Sequence, residues 1–140
     1  MRTIKFRCKH FGKWYYGNII CRSSRKEDGS MVVIHNGIDN DKWIPLDNED
    51  HCTVGQFTGI CDKSGKEIYE GDVVSIGDHE SVAVVIWHEH LCQFCYEFYK
   101  DKPQRRSDQK ATLIDMMNEY DINVIGNIHD NPKLVPRWEL

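Results

Sequence analysis

Acidic residues are missing from the first 26 positions of this chain. Eight basic residues stand there (Arg2, Lys5, Arg7, Lys9, Lys13, Arg22, Arg25 and Lys26) without one aspartate or glutamate. The other 10 basic and all 22 acidic residues follow, a net of −12. Such segregation fits an anion-binding face, half of a head-to-tail contact between subunits, or simply the two ends of a solvated hairpin. Long apolar runs are missing too. No window approaches the ~20 residues of a membrane-spanning helix, and the opening MRTIKFRCKHFGKWYY lacks the apolar run of a secretory signal. The expectation is a cytoplasmic chain, without a membrane partner, whose six cysteines stay reduced.

Catalytic signatures are absent in turn. HExxH, the Walker loop, GxGxxG and GxSxG do not occur. The CxxC of Cys92 and Cys95 has no H-x-E partner and no preceding proline, so it does not match a nucleobase deaminase. It also falls in a strand-like run, whereas a redox CxxC needs its first thiolate at a helix N-terminus. His79 between Asp78 and Glu80 has the neighbours of a solvated hairpin tip. The expectation is a protein that is not an enzyme and uses no cofactor.

What is present is strand grammar. With 140 residues, 40% of them hydrophobic and 29% charged, the chain suits one globular domain over 1–140. Residues 2–8 alternate, with Ile4, Phe6 and Cys8 on one side and Lys5, Arg7 and Lys9 on the other, the mark of a half-buried strand. A turn at Phe11–Gly12 leads into KWYYGNIICR, the partner strand. MVVIH is a short strand closed by Asn36–Gly37, and Pro45 confines the next piece to a sheet edge or a covering loop. Residues 56–74, QFTGICDKSGKEIYEGDVV, read as two short strands about a tight turn and a Gly-Asp step into a third, the pattern of a small β-barrel. SVAVVIWHEH and LCQFCYEFYK continue the strand pattern, and Gly77–Asp78 and the polar KDKPQRRS are read as connections. Leu113, Met116, Met117 and Tyr120 form one apolar stripe, which predicts an amphipathic helix over 108–120. INVIGNI is a last strand before a tail carrying Trp138.

Two constellations are candidates for binding. His88, His90 and Cys92 share one face of an ideal strand and carry zinc-type donors, but Cys95 falls on the other face and no second CxxC stands at finger spacing. The expectation is therefore no metal, with those three residues as a weak alternative. The basic N-terminal hairpin interleaves cations with Phe11, Trp14, Tyr15 and Tyr16, and a smaller cluster follows at Lys100, Lys102, Arg105 and Arg106. Cations reach phosphates and exposed rings stack on bases, so a nucleic-acid site here would use Lys5, Arg7, Lys9, Lys13, Trp14 and Arg22. A pI near 5.9 argues against a dedicated nucleic-acid binder. A protein partner or self-association asks less of the sequence.

Three separated pieces carry a family resemblance. IKFR with WYYG at 14–17, TGICDKSGKEIYEGDVV at 58–74, and VIGNIHDNP at 124–132 resemble the YopX family of phage and prophage proteins, in the right order along nearly the whole chain. The resemblance implies a mainly β fold with an SH3-like barrel or sandwich element, and one C-terminal amphipathic helix closes the expected architecture. It also implies a phage-encoded accessory protein in the bacterial cytoplasm, and it brings no catalytic residues with it. His88, His90, Cys92 and Cys95 lie outside the family pattern.

Overall fold

A computed structural model describes residues 2–22, 30–35, 42–46, 52–77, 81–99 and 110–135, with the backbone alone at 19–22, 30–35, 42–46, 52, 99 and 110–111. The turn at Asn36–Gly37, the cluster at 78–80, the basic residues at 100–106 and Trp138 lie outside the described residues. The chain divides into two compact units, 1–59 and 60–140.

The first unit is an antiparallel meander. Strands β1 (Phe6–His10) and β2 (Lys13–Arg22) form a hairpin about Phe11–Gly12, and β3 (Ser30–His35) and β4 (Lys42–Leu46) follow outward. Strand β5 (Cys52–Cys61) returns to pair with the other side of β1, giving the order β4-β3-β2-β1-β5, and its last residues belong to the second unit, as does β6 (Glu67–Tyr69), its neighbour. Pro45 sits on the outermost strand, the place where a missing N–H breaks no inner ladder. Strand β1 is flanked on both sides, and its alternation is not simply buried against exposed: Arg7 and Cys8, on opposite faces, are both buried.

The second unit carries a sheet in the order β10-β9-β8-β7-β11, built from β7 (Asp72–Ile76), β8 (Ser81–His88), β9 (Gln93–Tyr99), β10 (Lys110–Thr112) and β11 (Ile122–Asn127), every pairing antiparallel. Val74, Ile76, Ala83, Val85 and Tyr96 bury one face against Ile68, Leu113 and Ile122. Val73 and Val84 bury the other against Val135. Strand β7 is thus buried at every position, polar Asp72 and Ser75 included, so its residues do not alternate between buried and exposed.

The helix is shorter than the apolar stripe predicts. Lys110–Thr112 pairs with β9 as a strand, and α1 spans only Leu113–Glu119. Thr112 sets the start, its side-chain oxygen accepting the Asp115 amide at 3.3 Å. Tyr120 does not join the stripe: it is the extended C-cap and is half exposed. Met116 and Met117 do pack on the core beside buried Leu113. The mainly β architecture with one C-terminal helix holds, in two sheets that among the described residues stay open without closing into a barrel.

Candidate functional site

The β1–β2 hairpin and β5 together place the basic residues. Arg7 stands opposite Tyr16 on β2 and Gly55 on β5, and Lys9 stands opposite Trp14 and Thr53. With a side-chain period of two, Lys5, Arg7, Lys9, Trp14, Tyr16, Gly55 and Phe57 share one face of the first sheet. The Lys5 ammonium lies 4.9 Å from the Phe57 ring centre and the Arg7 guanidinium 4.7 Å from that of Trp14. Lys13 occupies the other face, 5.3 Å from Tyr15. Arg22 stands opposite Met31 at the far end of β2, its side chain outside the described residues.

The expected solvent-facing row is therefore broken at Arg7, which is only 6% exposed. Trp14 lies diagonally across the strand pair and offers a ring, while Gly55, directly across on β5, contributes no side chain to compete for the space. A guanidinium tolerates such a place because it is weakly hydrated and planar enough to stack. Sequence reading missed Gly55 and Phe57 here. Their alternation in VGQFT was visible, but nothing in the chain states that this segment pairs with residues 6–10.

The tip of the hairpin holds the most exposed large apolar side chain of those described. Phe11 is 76% exposed, with its backbone at φ +48° and Gly12 following at +78°. Two consecutive left-handed residues make the tight turn that suits a hairpin, a turn normally filled by Asn-Gly or Gly-Gly. A bulky side chain there costs about 1–2 kcal/mol. His10 makes an edge contact with the Phe11 ring at 4.5 Å.

The second candidate set lies at the β8–β9 tip. His88 ends β8 and Glu89–Cys92 form a turn, so His88, His90 and Cys92 do not share a strand face as the spacing suggested. Cys92 adopts φ +49°, and its thiol donates to the Glu89 carbonyl at 3.2 Å. His88 Nδ1 accepts the Leu91 amide at 3.2 Å, and the His88 and His90 ring centres are 6.0 Å apart. Cys95 is buried in β9 opposite Ile86. Among the described residues no group of three or more metal-donor side chains converges.

The motif residues prove to be backbone anchors. Asp62 Oδ1 accepts the Ser64 and Lys66 amides, each at 2.9 Å, and the Ser64 hydroxyl at 2.8 Å, while Oδ2 accepts the Val124 amide at 2.9 Å. Burial pushes its carboxyl up, but these bonds outweigh that and hold it below the ordinary carboxylate value. Buried Asp72 accepts the Tyr69 amide at 2.8 Å. Asn127 Oδ1 accepts the His129 and Asp130 amides, and the Asn131 side chain closes over Gly126 to accept the Asn127 amide. Asp62, Asp72 and Asn127 are each occupied in fixing a turn.

Among the described residues, three buried hydroxyls have no hydrogen-bond partner: Thr53, Ser75 and Tyr96. Burial pushes the Tyr96 phenol up. They do not converge, since Thr53 belongs to the first sheet and the strand register puts Ser75 and Tyr96 on opposite faces of the second.

The family model described as YopX protein matches residues 5–136, and the chain belongs to that family. Its fold is similar to that of protein EF1440 from Enterococcus faecalis, known from a crystal structure, with a TM-score of 0.60 and 21% identity over 96% of this chain and 99% of that one. At that identity the likeness is one of fold. Comparison with curated proteins returns no match. Among the described residues no helix is long and apolar enough to cross a membrane.

Proposed function

We propose that this YopX-family chain is a non-enzymatic binding or assembly module, encoded by a phage or prophage and working in the cytoplasm of the bacterial host. Its ligand in this reading is protein, and it needs no cofactor. The observation that carries the reading is the N-terminal hairpin: an exposed, strained Phe11 at its tip with cations behind it. Exposed aromatic residues flanked by charge are the anchors of protein interfaces. The inward turn of Arg7 onto Trp14 favours the same conclusion. A guanidinium withdrawn from water does not meet a phosphate without leaving its ring.

A nucleic-acid reading keeps Lys5, Lys9 and Lys13 as phosphate contacts and gains the half-exposed Tyr16 as a stacking surface on the same face as Lys9. Fluorescence anisotropy with random single- and double-stranded DNA and RNA separates the two. No binding at low salt is the expected result and leaves protein as the ligand. Binding whose log affinity falls linearly with log salt would establish phosphate contacts and overturn the protein reading.

A further inference from the structure

Helix α1 has an outward face that its own unit does not use. Leu113, Met116 and Met117 point to the core, leaving Ile114 (63% exposed), Asp115, Asn118 and Glu119 in solvent, followed by half-exposed Tyr120. An isoleucine in that position gains little from folding, because most of its surface stays exposed and β-branching restricts it in a helix. Asp115 and Glu119 are four apart, a like-charge spacing that weakens a helix. Glu119 also lies in the last turn, which holds no basic residue and where the helix dipole disfavours an anion. The face combines apolar side chains with negative charge.

The tip of the β1–β2 hairpin is its chemical complement. Phe11 supplies the apolar group, and Lys9, His10 and Lys13 flank it. The complement extends to composition, since residues 1–26 hold only basic charge and the remainder is net −12. We propose that the protein associates head to tail with a second copy of itself, Phe11 of one molecule seating beside Ile114 and Tyr120 of another, with Lys9 and Lys13 facing Asp115 and Glu119. This rests on the reading of the chain as a protein-binding module and names its partner. The contact is heterologous: each copy presents two different surfaces, so association is not restricted to a symmetric pair. Strain at Phe11 then has a use, because the left-handed turn holds the ring out at the apex, clear of the sheet.

Sedimentation velocity on the full chain tests it. At low salt the mass should exceed 16.4 kDa and rise with concentration, falling back to 16.4 kDa at high salt as the charges are screened. Phe11→Asn removes the knob and suits the turn, so it should fold while weakening self-association by about 30-fold or more. Asp115→Lys with Glu119→Lys damages the other surface and should weaken it similarly, with circular dichroism confirming the fold and Ile114→Ser as a second variant on that face. The decisive sample is a mixture of the two. Each variant retains the surface that the other lacks, so together they should give a one-to-one heterodimer and no larger species. A mass of 16.4 kDa for the wild type at every salt, an unchanged Phe11→Asn, or a mixture that stays monomeric overturns the proposal. The wider binding reading stands or falls separately, on the nucleic-acid titration.

Discussion

The two units of the chain fix antiparallel strands with opposite chemistry. The second uses acceptors: Asp62, Asp72 and Asn127 take backbone amides at turns, around a core rich in valine and isoleucine that includes Tyr96. The first uses cations over rings: Lys5 on Phe57, Arg7 on Trp14 and Lys13 on Tyr15. An acceptor closing a turn is consumed by that turn, since its lone pairs are filled and its geometry is set by the backbone. A cation over a ring keeps its charge, because the ring stacks on it without taking a proton. The same contrast holds at the hairpin tips. At β8–β9 the turn polar groups bond one another, and Trp87 packs edge-on against Phe94 with ring centres 5.1 Å apart. At β1–β2 the tip exposes a phenyl ring. Strain in the first case closes a turn, and in the second it presents a side chain.

The comparison breaks most visibly at Asp62. Asp62→Ala leaves the Ser64, Lys66 and Val124 amides without their acceptor, and bonds to a charged group contribute about 1.5–3 kcal/mol each before losses overlap. We expect a loss of at least about 3 kcal/mol in denaturant unfolding of the whole chain. A loss below about 1 kcal/mol would show that water replaces the carboxylate readily. The carboxyl also predicts a pH dependence. Its folded value lies below the ordinary 3.8, so its stabilisation is complete above that pH and is lost as pH falls through the folded value. Asp62→Asn should flatten the acid limb of the stability curve below about pH 4. Next in size is Gly126→Ala. The added Cβ would sit 2.5 Å from Asn131 Oδ1 and 2.9 Å from Leu134 Cδ1, and moving Asn131 breaks its bond to the Asn127 amide. A cost of about 1–3 kcal/mol is expected from thermal melts.

Much of the second unit was legible because its information is local. DKSGK announces its own turn: Asp62 and Lys66 are four apart, and Gly65 takes the positive φ that the turn needs. Asp72 reaches back three residues, and Asn127 forward two and three. Where contacts are long-range, the sequence was silent. The Asp62 bond to Val124 spans 62 residues and has no signature at either end. The burial of Arg7 depends on Gly55 and Trp14 flanking it from two strands, and alternation alone put it in solvent. The helix stripe misled for a similar reason. The stripe continued through Tyr120 and the expected helix reached back to 108, but pairing of Lys110–Thr112 with β9 and the Thr112 cap decided the start. The site was legible as a composition, eight cations and no acid, and illegible as a surface.

A smaller effect sharpens the account of the first unit. Arg7→Met keeps an unbranched apolar stem and removes the charge over Trp14. We expect a loss of about 1–2 kcal/mol by chemical denaturation, with Arg7→Lys intermediate because an ammonium does not stack as a plane. If Arg7→Met is neutral or stabilising, the guanidinium does not hold the sheet and its position over the ring serves a partner. In that event nucleic-acid binding by the hairpin regains ground, and the anisotropy titration should be repeated with this variant.

The smallest expected effect is of opposite sign. Phe11→Asn places at φ +48° a residue that accepts that backbone readily, ahead of a glycine already at +78°. Phe11 is 76% exposed, so little burial is lost with the ring. The net should be a gain of about 1 kcal/mol, seen as a melting temperature higher by about 2–6 °C at a concentration where wild type and variant are both monomeric. That last condition matters, because self-association would itself raise the wild-type melting temperature with concentration. A stabilised variant that no longer associates is the signature of a residue retained at the expense of the fold. A destabilised one would mean that the ring packs in solution, most directly on His10, and would return Phe11 to the structural side of the comparison.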